Sequence, residues 1–161
     1  MIFVTVGDQL PFDRLVRIVD EWALTSGKEV FAQIGRTDWK PMHISYKNFL
    51  TPEEFKEKLL TSEAIIAHAG MGTIISALEL GKPVLVMPRN VALGEVRNDH
   101  QYSTARRFLA LNYISVAFEE LDLKNKLNSL TEFVEHWKEG GGRPEPSQLL
   151  IKTIRDFIEA K

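Results

Sequence analysis

The sequence predicts an α/β protein with a doubly wound, mainly parallel sheet. Short apolar runs rich in β-branched residues recur along the chain, which is the pattern of strands buried on both faces of a parallel sheet. Between these runs lie longer segments whose apolar residues recur at helical spacing. In such a sheet, ligands bind in loops outside the carboxyl ends of the strands, so those loops are the candidates for function.

The alternation predicts one domain followed by a terminal helix. The predicted strands are residues 2–6, 29–34, 43–46, 64–67, 83–87 and 113–117. The predicted helices are residues 11–26, 52–60, 73–80, 99–110 and 122–136. Residues 140–146, rich in Gly and Pro, are predicted to link the domain of residues 1–139 to an amphipathic helix at 147–161. We expect that helix to pack on the domain or on a partner.

Two of the helices have specific start signals. Pro11 suits the first turn of the first helix, which ends at Gly27. Thr51 is the predicted N-cap of the second helix, with Pro52 at the first helical position and Glu54 completing a capping box. These signals predict where two helices begin.

The composition excludes several classes of function. With 20 basic and 22 acidic residues the formal net charge is -2, so no long-range field favours nucleic acid. The chain has no cysteine, which excludes disulfides, thiol catalysis and thiolate-bound metals. The histidines lack metal-ligand spacing, and no apolar run reaches the roughly 18 residues of a membrane span. We therefore expect a cytoplasmic protein whose N-terminal segment is a strand, not a signal peptide.

Four loops follow predicted strands at the binding edge of the sheet: residues 7–9, 33–36, 68–73 and 88–101. In the third loop, Gly70, Gly72 and Thr73 stand where a helix begins. Backbone N–H groups are left uncovered there, at the positive end of the helix dipole, which is an arrangement that binds phosphate. The Thr73 hydroxyl adds one more donor. The alternative is a tight turn in which Thr73 is only the N-cap.

The loop after the fifth strand is crowded with polar side chains. Residues 94–101 follow a buried strand directly, and loops on a rigid scaffold are where binding groups concentrate. The alternatives are that Asp99 caps the next helix and that His100 is a surface residue. His68, at a strand end, is either a structural histidine or a general base.

Three motifs of other chemistries are absent. The sequence has no G-x-S-x-G nucleophile elbow, no G-x-G-x-x-G dinucleotide fingerprint and no Walker lysine loop. Serine hydrolysis, NAD binding and P-loop ATP hydrolysis are therefore disfavoured. With these three classes disfavoured, a nucleotide-sugar remains as the candidate phosphate-bearing ligand.

Four segments together resemble a known family: MIFVTVGDQLPFDRLV, AQIG, HAGMGTIISALELGKPVLVMPR and GEVRNDHQYSTA. They are similar to the glycosyltransferase subunits that correspond to the C-terminal half of MurG-type GT-B enzymes. The family that matches best is that of bacterial exopolysaccharide galactosyl- or glucuronosyltransferase subunits. The donor-binding subunit of the eukaryotic two-part transferase that adds N-acetylglucosamine to dolichol-linked oligosaccharide is similar too.

This resemblance implies a Rossmann-like domain that binds a UDP-sugar as donor substrate, with no cofactor. A separate, membrane-anchored subunit is implied to supply the other GT-B half and the site for a polyprenyl-diphosphate-linked saccharide acceptor. The chain is then cytoplasmic and held at the inner face of the cytoplasmic membrane through that partner. No metal is implied, because a helix dipole and backbone donors can stabilise the departing diphosphate. Self-association of the isolated chain through the partner face stays open.

The resemblance also implies which residues bind the donor. The turn of residues 70–73 receives the diphosphate, the loop of residues 7–9 approaches it, and residues 99–101 face the sugar. The full implied set is Gly7, Asp8, Gln9, Gly35, His68, Gly70, Met71, Gly72, Thr73, Ser76, Arg89, Asp99, His100 and Gln101. The candidate catalytic residues are His68, Asp99 and His100, and a general base on the partner is the alternative.

Two residues depart from the family pattern. Many relatives have Thr where this chain has Asp8, and a carboxylate beside a diphosphate is repulsive unless it is turned away, protonated or paired with Arg89 or Arg97. Relatives of the eukaryotic type often have a Glu for the ribose where this chain has Ser76, with Glu79 a more distant substitute. Donor binding and the ribose contact are the properties that these departures affect.

The leading hypothesis is the donor-binding catalytic subunit of an inverting, two-component glycosyltransferase. It transfers a hexose or hexuronic acid from a UDP-sugar to the lipid-linked acceptor during exopolysaccharide or capsule synthesis. The alternative is a non-catalytic enhancer or regulatory subunit of such a transferase. A third hypothesis is a free-standing nucleotide-dependent epimerase or hydrolase of related fold, which acts without a partner.

Overall fold

The computed structural model describes residues 1–140, together with Arg155, Asp156 and Glu159. Apart from Gly140 and those three residues, the predicted linker and terminal helix lie outside the described part of the chain. The strands are β1 (Ile2–Thr5), β2 (Val30–Gln33), β3 (Ser45–Lys47), β4 (Ala64–His68), β5 (Val84–Met87) and β6 (Ser115–Val116). Each lies within two residues of its predicted ends, because apolar β-branched runs bounded by Gly and Pro are specific signals.

The helices alternate with the strands as predicted. They are α1 (Asp13–Ser26), α2 (Pro52–Thr61), α3 (Met71–Glu79), α4 (His100–Ala110), α5 (Glu120–Asn128) and α6 (Leu130–Lys138), and a short 3-10 turn covers Val91–Leu93. The capping box of α2 is confirmed, since Thr51 Oγ1 accepts from Glu54 N at 3.2 Å and Glu54 Oε2 accepts from Thr51 N at 3.0 Å. Among the residues described, no helix combines the length and apolar character that a membrane span needs.

Three of the predicted helices differ from the structure by two residues or more. Helix α1 begins at Asp13, so Pro11 precedes it and is not in its first turn. Helix α3 begins at Met71, two residues before the predicted start. The single helix predicted over residues 122–136 is two helices, α5 and α6, divided at Ser129, whose φ of -101° and ψ of 18° depart from helical values. The Ser129 hydroxyl donates to the Asn125 carbonyl at 3.2 Å, a local bond that competes with the helical pattern.

All six strands pair in parallel, in the order β3-β2-β1-β4-β5-β6. The chain therefore adds strands outward from β1 on one side and then restarts at β4 on the other. The sheet order reverses between β1 and β4, where Ile2 pairs with both Val30 and Ala64. In doubly wound sheets the loops that diverge at such a switch point enclose a ligand crevice.

The core has two layers, one on each face of the sheet. Successive residues of β1 point to opposite faces, so that Ile2 and Val4 pack in one layer and Phe3 in the other. Helix α1 and the buried leucines of α5 cover the first face, and α3 and α4 cover the second. Both faces are sealed, which leaves the strand ends as the places where polar groups reach solvent.

Candidate functional site

A cleft of about 720 Å³ opens at the carboxyl edge of the sheet, beside the switch point between β1 and β4. Its walls come from the loops after β1, β4 and β5 and from the first two turns of α4. The lining residues are Val6, Gly7, Asp8, Gln9, His68, Ala69, Gly70, Met71, Arg89, His100, Gln101, Ser103, Thr104 and Arg107. The cleft thus lies where a doubly wound sheet binds its ligand.

The loop after β1 is held in place by hydrogen bonds to its backbone. Gly7 turns the chain with a φ of 76°, a left-handed value that favours glycine. Its N–H donates to Thr5 Oγ1 at 3.2 Å, and its carbonyl accepts from Gln33 Nε2 at 3.2 Å. Arg89 Nη2 donates to the carbonyl of Val6 at 2.7 Å and to that of Leu10 at 2.5 Å. The loop is therefore a shaped wall of the cleft.

The N-terminus of α3 lies at the cleft wall, which Gly70 and Met71 line. Gly70 is the N-cap, and no side chain caps the helix. Ile74 N is the first amide bonded within the helix, to the Gly70 carbonyl at 3.2 Å. No acceptor within the described residues meets the amides of residues 71–73. Uncapped amides at the positive end of a helix dipole are suited to an anion.

His68, the last residue of β4, is enclosed by two glycines. A Cβ on Gly70 would lie 2.1 Å from His68 Nε2, and one on Gly7 would lie 3.0 Å from His68 Cε1. The Nδ1 atom is 3.4 Å from the Thr5 carbonyl, to which it can donate. Burial and, to a smaller extent, the nearby Arg89 cation lower the pKa of His68 to about 4. The imidazole is therefore neutral near pH 7, and both glycines make room for it.

One face of α4 forms the outer wall of the cleft. Its cleft-lining residues His100, Ser103, Thr104 and Arg107 recur at helical spacing. Gln101 also lines the cleft, and its Oε1 accepts from Arg89 N at 3.0 Å, which ties α4 to the end of β5. The sequence reasoning missed Ser103, Thr104 and Arg107, although the helical spacing from His100 could have found them.

The cleft brings together nine of the residues that the resemblance implied. They are Gly7, Asp8, Gln9, His68, Gly70, Met71, Arg89, His100 and Gln101. The remaining five, Gly35, Gly72, Thr73, Ser76 and Asp99, do not line it. The nine residues therefore lie in one cleft. That they contact the donor stays a prediction.

The five other residues have identifiable places in the fold. A Cβ on Gly35 would lie 3.1 Å from Val6 Cγ2, so this glycine allows the loop after β2 to pack on the end of β1. Thr73 is the third residue of α3 and not its N-cap, because Gly70 holds that position. Ser76 lies in the body of α3, and Glu79 ends it, roughly 12 Å along the axis from Met71. Glu79 is thus not placed to substitute for a ribose contact.

Asp99 neither lines the cleft nor caps α4 through its side chain. It occupies the N-cap position with no side-chain cap hydrogen bond. Instead Asn98 Oδ1 accepts from His100 N at 3.2 Å. Asp99 is therefore the N-cap by position but not through its side chain, and Asn98 satisfies the His100 amide.

Asp8 is exposed at the mouth of the cleft and forms no ion pair with the described residues. Of the alternatives for this carboxylate, pairing with Arg89 or Arg97 is not observed among these residues. Within the same part of the chain, no group of three or more His, Asp or Glu side chains converges as a metal site would require.

The six-stranded parallel sheet and its switch point define a Rossmann-like domain of the GT-B fold. A family model supports this assignment across the described domain. The chain belongs to the glycosyltransferase family 28 C-terminal domain family, whose model matches residues 1–141.

Two relatives of known name have similar sequences. The UDP-N-acetylglucosamine transferase subunit ALG13 of Mus musculus is 29% identical over 116 residues, which are 65% of this chain and 10% of that protein. The subunit of the same name from Candida albicans is 38% identical over 61 residues, 37% of this chain and 20% of that protein. The chain thus matches a small part of the length of these relatives.

Solved structures support the fold. The crystal structure of Acinetobacter baumannii MurG superposes with a TM-score of 0.62 at 15% identity, covering 96% of this chain and 49% of that one. A solution structure of ALG13 superposes with a TM-score of 0.57 at 20% identity, covering 81% of this chain and 85% of that one. At these identities the likeness establishes the fold alone.

Proposed function

We propose that this chain is the donor-binding catalytic subunit of a two-component, inverting glycosyltransferase that uses a UDP-sugar. The observation that carries the proposal is the uncapped N-terminus of α3, which opens into the cleft between the loops after β1 and β5. Family membership supplies the reaction class. The relatives named as UDP-N-acetylglucosamine transferase subunits support a UDP-linked donor.

The diphosphate of the donor binds at the tip of α3. The free amide of Met71, which lines the cleft, donates to a phosphate oxygen, and the loop of residues 7–9 closes over it. The sugar lies toward the α4 face, against His100, Gln101 and Ser103. In this placement the diphosphate lies at the positive end of the α3 helix dipole. The sugar faces the open side of the cleft.

In the transfer step an acceptor hydroxyl attacks the anomeric carbon while the bond from that carbon to the UDP oxygen breaks. The negative charge that develops on the departing diphosphate is stabilised by the α3 amides, which are already oriented toward it. A general base takes the hydroxyl proton. His100 is the candidate that this chain offers at the cleft surface, because His68 is enclosed by glycines and Asp99 does not line the cleft.

A second subunit completes the cleft in this proposal. The chain covers 49% of the superposed MurG chain, which leaves room for another domain of similar size. Exposed apolar residues, Leu10, Val91 and Leu93, lie on the loops after β1 and β5, which also carry cleft-lining residues, and we name them the apolar rim. An apolar rim around a polar cleft is suited to a protein partner.

The acceptor and the location follow from the resemblance of the motifs. We infer a polyprenyl-diphosphate-linked saccharide as acceptor, a role in exopolysaccharide or capsule synthesis, and attachment at the inner face of the cytoplasmic membrane through the partner. The neighbouring reading frame tests this proposal. A short protein with one N-terminal membrane anchor and a Rossmann-like body, co-purifying with this chain, supports it, and a partner without an anchor contradicts it.

Titration of the purified chain with UDP tests donor binding directly. In a two-dimensional NMR experiment, UDP should shift the amide signals of residues 7–9, 70–73 and 100–101, and ADP should shift them less. Binding is contradicted if millimolar UDP leaves those signals in place. Product analysis in the same samples detects turnover without a partner, which would instead indicate an epimerase or hydrolase.

A specific observation favours the non-catalytic alternative. Asp8 lines the cleft without an ion pair, so its charge opposes a diphosphate at the α3 tip. In that alternative the chain has lost donor binding. Asp8→Thr separates the two functions: a wild-type chain that binds UDP supports the catalytic subunit, whereas binding that appears only in the variant supports the enhancer subunit.

A further inference from the structure

Arg89 is a buried cation at the wall of the cleft. It follows the last strand residue of β5 by two positions, is 3% exposed, and still lines the cleft. The Phe12 ring lies on one side of it, with the guanidinium carbon 5.1 Å from the ring centroid. The surrounding protein therefore fixes the position of the Arg89 guanidinium and of its charge.

The guanidinium has more donors than its protein neighbours use. Of its five N–H groups, the two on Nη2 are matched by the carbonyls of Val6 and Leu10. Nε is buried without any hydrogen-bond partner, and no partner within the described residues meets Nη1. A buried donor without a partner costs free energy that a ligand acceptor nearby can offset.

The charge of Arg89 is also only partly offset, because Glu95 is near enough to favour the cation but forms no ion pair with it. Arg89 forms no ion pair within residues 1–140. Glu95, on the same loop, is engaged by Arg14 at 2.7 Å and by the backbone of Asn90 at 2.8 Å. Burial accordingly lowers the pKa of Arg89 to about 10. A buried cation without a counter-ion is expensive unless a ligand supplies the negative charge.

We propose that Arg89 is a second anchor for the donor diphosphate, in which one guanidinium holds the loop after β1 with Nη2 and donates from Nη1 to a phosphate oxygen. This proposal rests on the function proposed above and adds a residue outside the α3 tip. Under this proposal Arg89 both holds the loop after β1 and contacts the diphosphate. The position of the loop and the binding of the anion are therefore coupled. Arg89 therefore sets the preference of the cleft for a diphosphate over the nucleoside alone.

Calorimetric titration with UDP, uridine and inorganic pyrophosphate tests this role. Arg89→Gln should weaken UDP and pyrophosphate binding about tenfold or more, because a charge-assisted bond is lost, and leave uridine affinity within about twofold. Arg89→Lys should fall between, since it keeps the charge but cannot bridge both carbonyls and the ligand. Arg97→Gln is the matched control: Arg97 lies on the same loop, is exposed and does not line the cleft.

A second measurement on the wild-type chain keeps the test decisive if Arg89→Gln fails to fold. The buried Nε–H of Arg89 should give an NMR signal that moves on addition of UDP or pyrophosphate and stays in place with uridine. Equal weakening of UDP and uridine, or an Nε–H signal indifferent to pyrophosphate, overturns the anchor and leaves Arg89 as a loop support. A wild-type chain that binds neither UDP nor pyrophosphate overturns the proposed function as well.

Discussion

His68 and the two glycines around it form the most constrained group at the cleft. The sequence pattern places Gly70 in a phosphate-binding turn, where a residue without a side chain leaves backbone N–H groups uncovered. The structure adds a second reason, because the space that a Gly70 Cβ would take is filled by the His68 ring. The glycine therefore accommodates a histidine at the same time as it caps α3.

Gly70→Ala should destabilise the fold. The new Cβ would lie 2.1 Å from His68 Nε2, so the ring must move and break its contact with the Thr5 carbonyl. We expect a loss of about 1–3 kcal/mol in the free energy of unfolding, measured by urea denaturation. Gly72→Ala is the control, since no atom lies within 4 Å of its Cβ position, and it should be neutral or mildly stabilising.

A double variant locates the cause of that loss. Removing the ring with His68→Ala should abolish most of the additional cost of Gly70→Ala, giving a coupling energy of about 1 kcal/mol or more. Additive effects would show that the strain arises elsewhere, in the turn itself.

The low pKa of His68 makes stability depend on pH. The pKa is about 4 in the folded chain and near 6.5 when unfolded, so the unfolded state binds more protons between these values. The stabilisation is complete above pH 6.5 and is lost as the pH falls toward 4. We expect the free energy of unfolding to fall by on the order of 2–3 kcal/mol over this window. In His68→Asn the slope should be clearly smaller, and an equal slope in both proteins contradicts the assignment.

At this scale, residue type alone could not separate neighbours with similar chemistry. Asp99 and Asn98 are both good helix caps, and only the backbone geometry shows that Asn98 forms the bond. Arg89 was assigned to the site by resemblance, but its bonds to two carbonyls of the loop after β1 depend on tertiary placement. Local pattern does not encode contacts between residues that are far apart in the sequence.

Glu95 holds the segment after β5 against helix α1. Glu95 accepts from Arg14 of α1 at 2.7 and 2.8 Å and from the backbone of Asn90 at 2.8 Å, so one carboxylate fixes the loop to a helix. Both side chains of this pair are only 13% exposed. The clamp therefore positions the part of the apolar rim that carries Val91 and Leu93.

Glu95→Gln should loosen this clamp. Loss of the charge weakens three hydrogen bonds in a shielded place, and we expect about 1–2 kcal/mol of destabilisation in chemical denaturation. A double-mutant cycle with Arg14→Gln should give a coupling of about 1 kcal/mol or more. The comparison pair is Lys47–Glu54, 53% and 38% exposed, for which the coupling should stay below about 0.5 kcal/mol. Similar couplings in both pairs would contradict a structural role for Glu95.

Element types were predictable because strands and helices here have strong periodic signals. The capping box of α2 is formed as the sequence predicted. The errors lie at boundaries, where weak signals compete with tertiary packing. The buried residues of α5 and α6 continue an apolar pattern across Ser129, so periodicity alone did not reveal the break.

For the molecule as a whole, the apolar rim is the surface that the proposed function assigns to the second subunit. Leu93→Asp should lower the affinity for the partner subunit at least tenfold, because it places a charge in the proposed interface. Its stability and UDP affinity should not change, since the Leu93 side chain is 58% exposed and does not line the cleft. The readouts are surface plasmon resonance with the partner and calorimetry with UDP.

Leu24→Asp is the control for this prediction. Leu24 is 64% exposed near the end of α1, away from the carboxyl edge of the sheet, and its replacement should leave partner affinity unchanged. A loss of affinity in both variants would indicate a general effect of charge, and no loss in Leu93→Asp would place the interface on another face.

The position of β1 at the centre of the sheet affects synthesis of the chain on the ribosome. Both neighbours of this strand, β2 and β4, are made after it, and the second of them is Ala64–His68. The apolar β1 segment therefore has unpaired hydrogen-bonding groups until β4, more than a third of the way along the sequence shown, has emerged. Non-local pairing of this kind slows folding and exposes the chain to aggregation, so we expect chaperone binding to concentrate on its first residues.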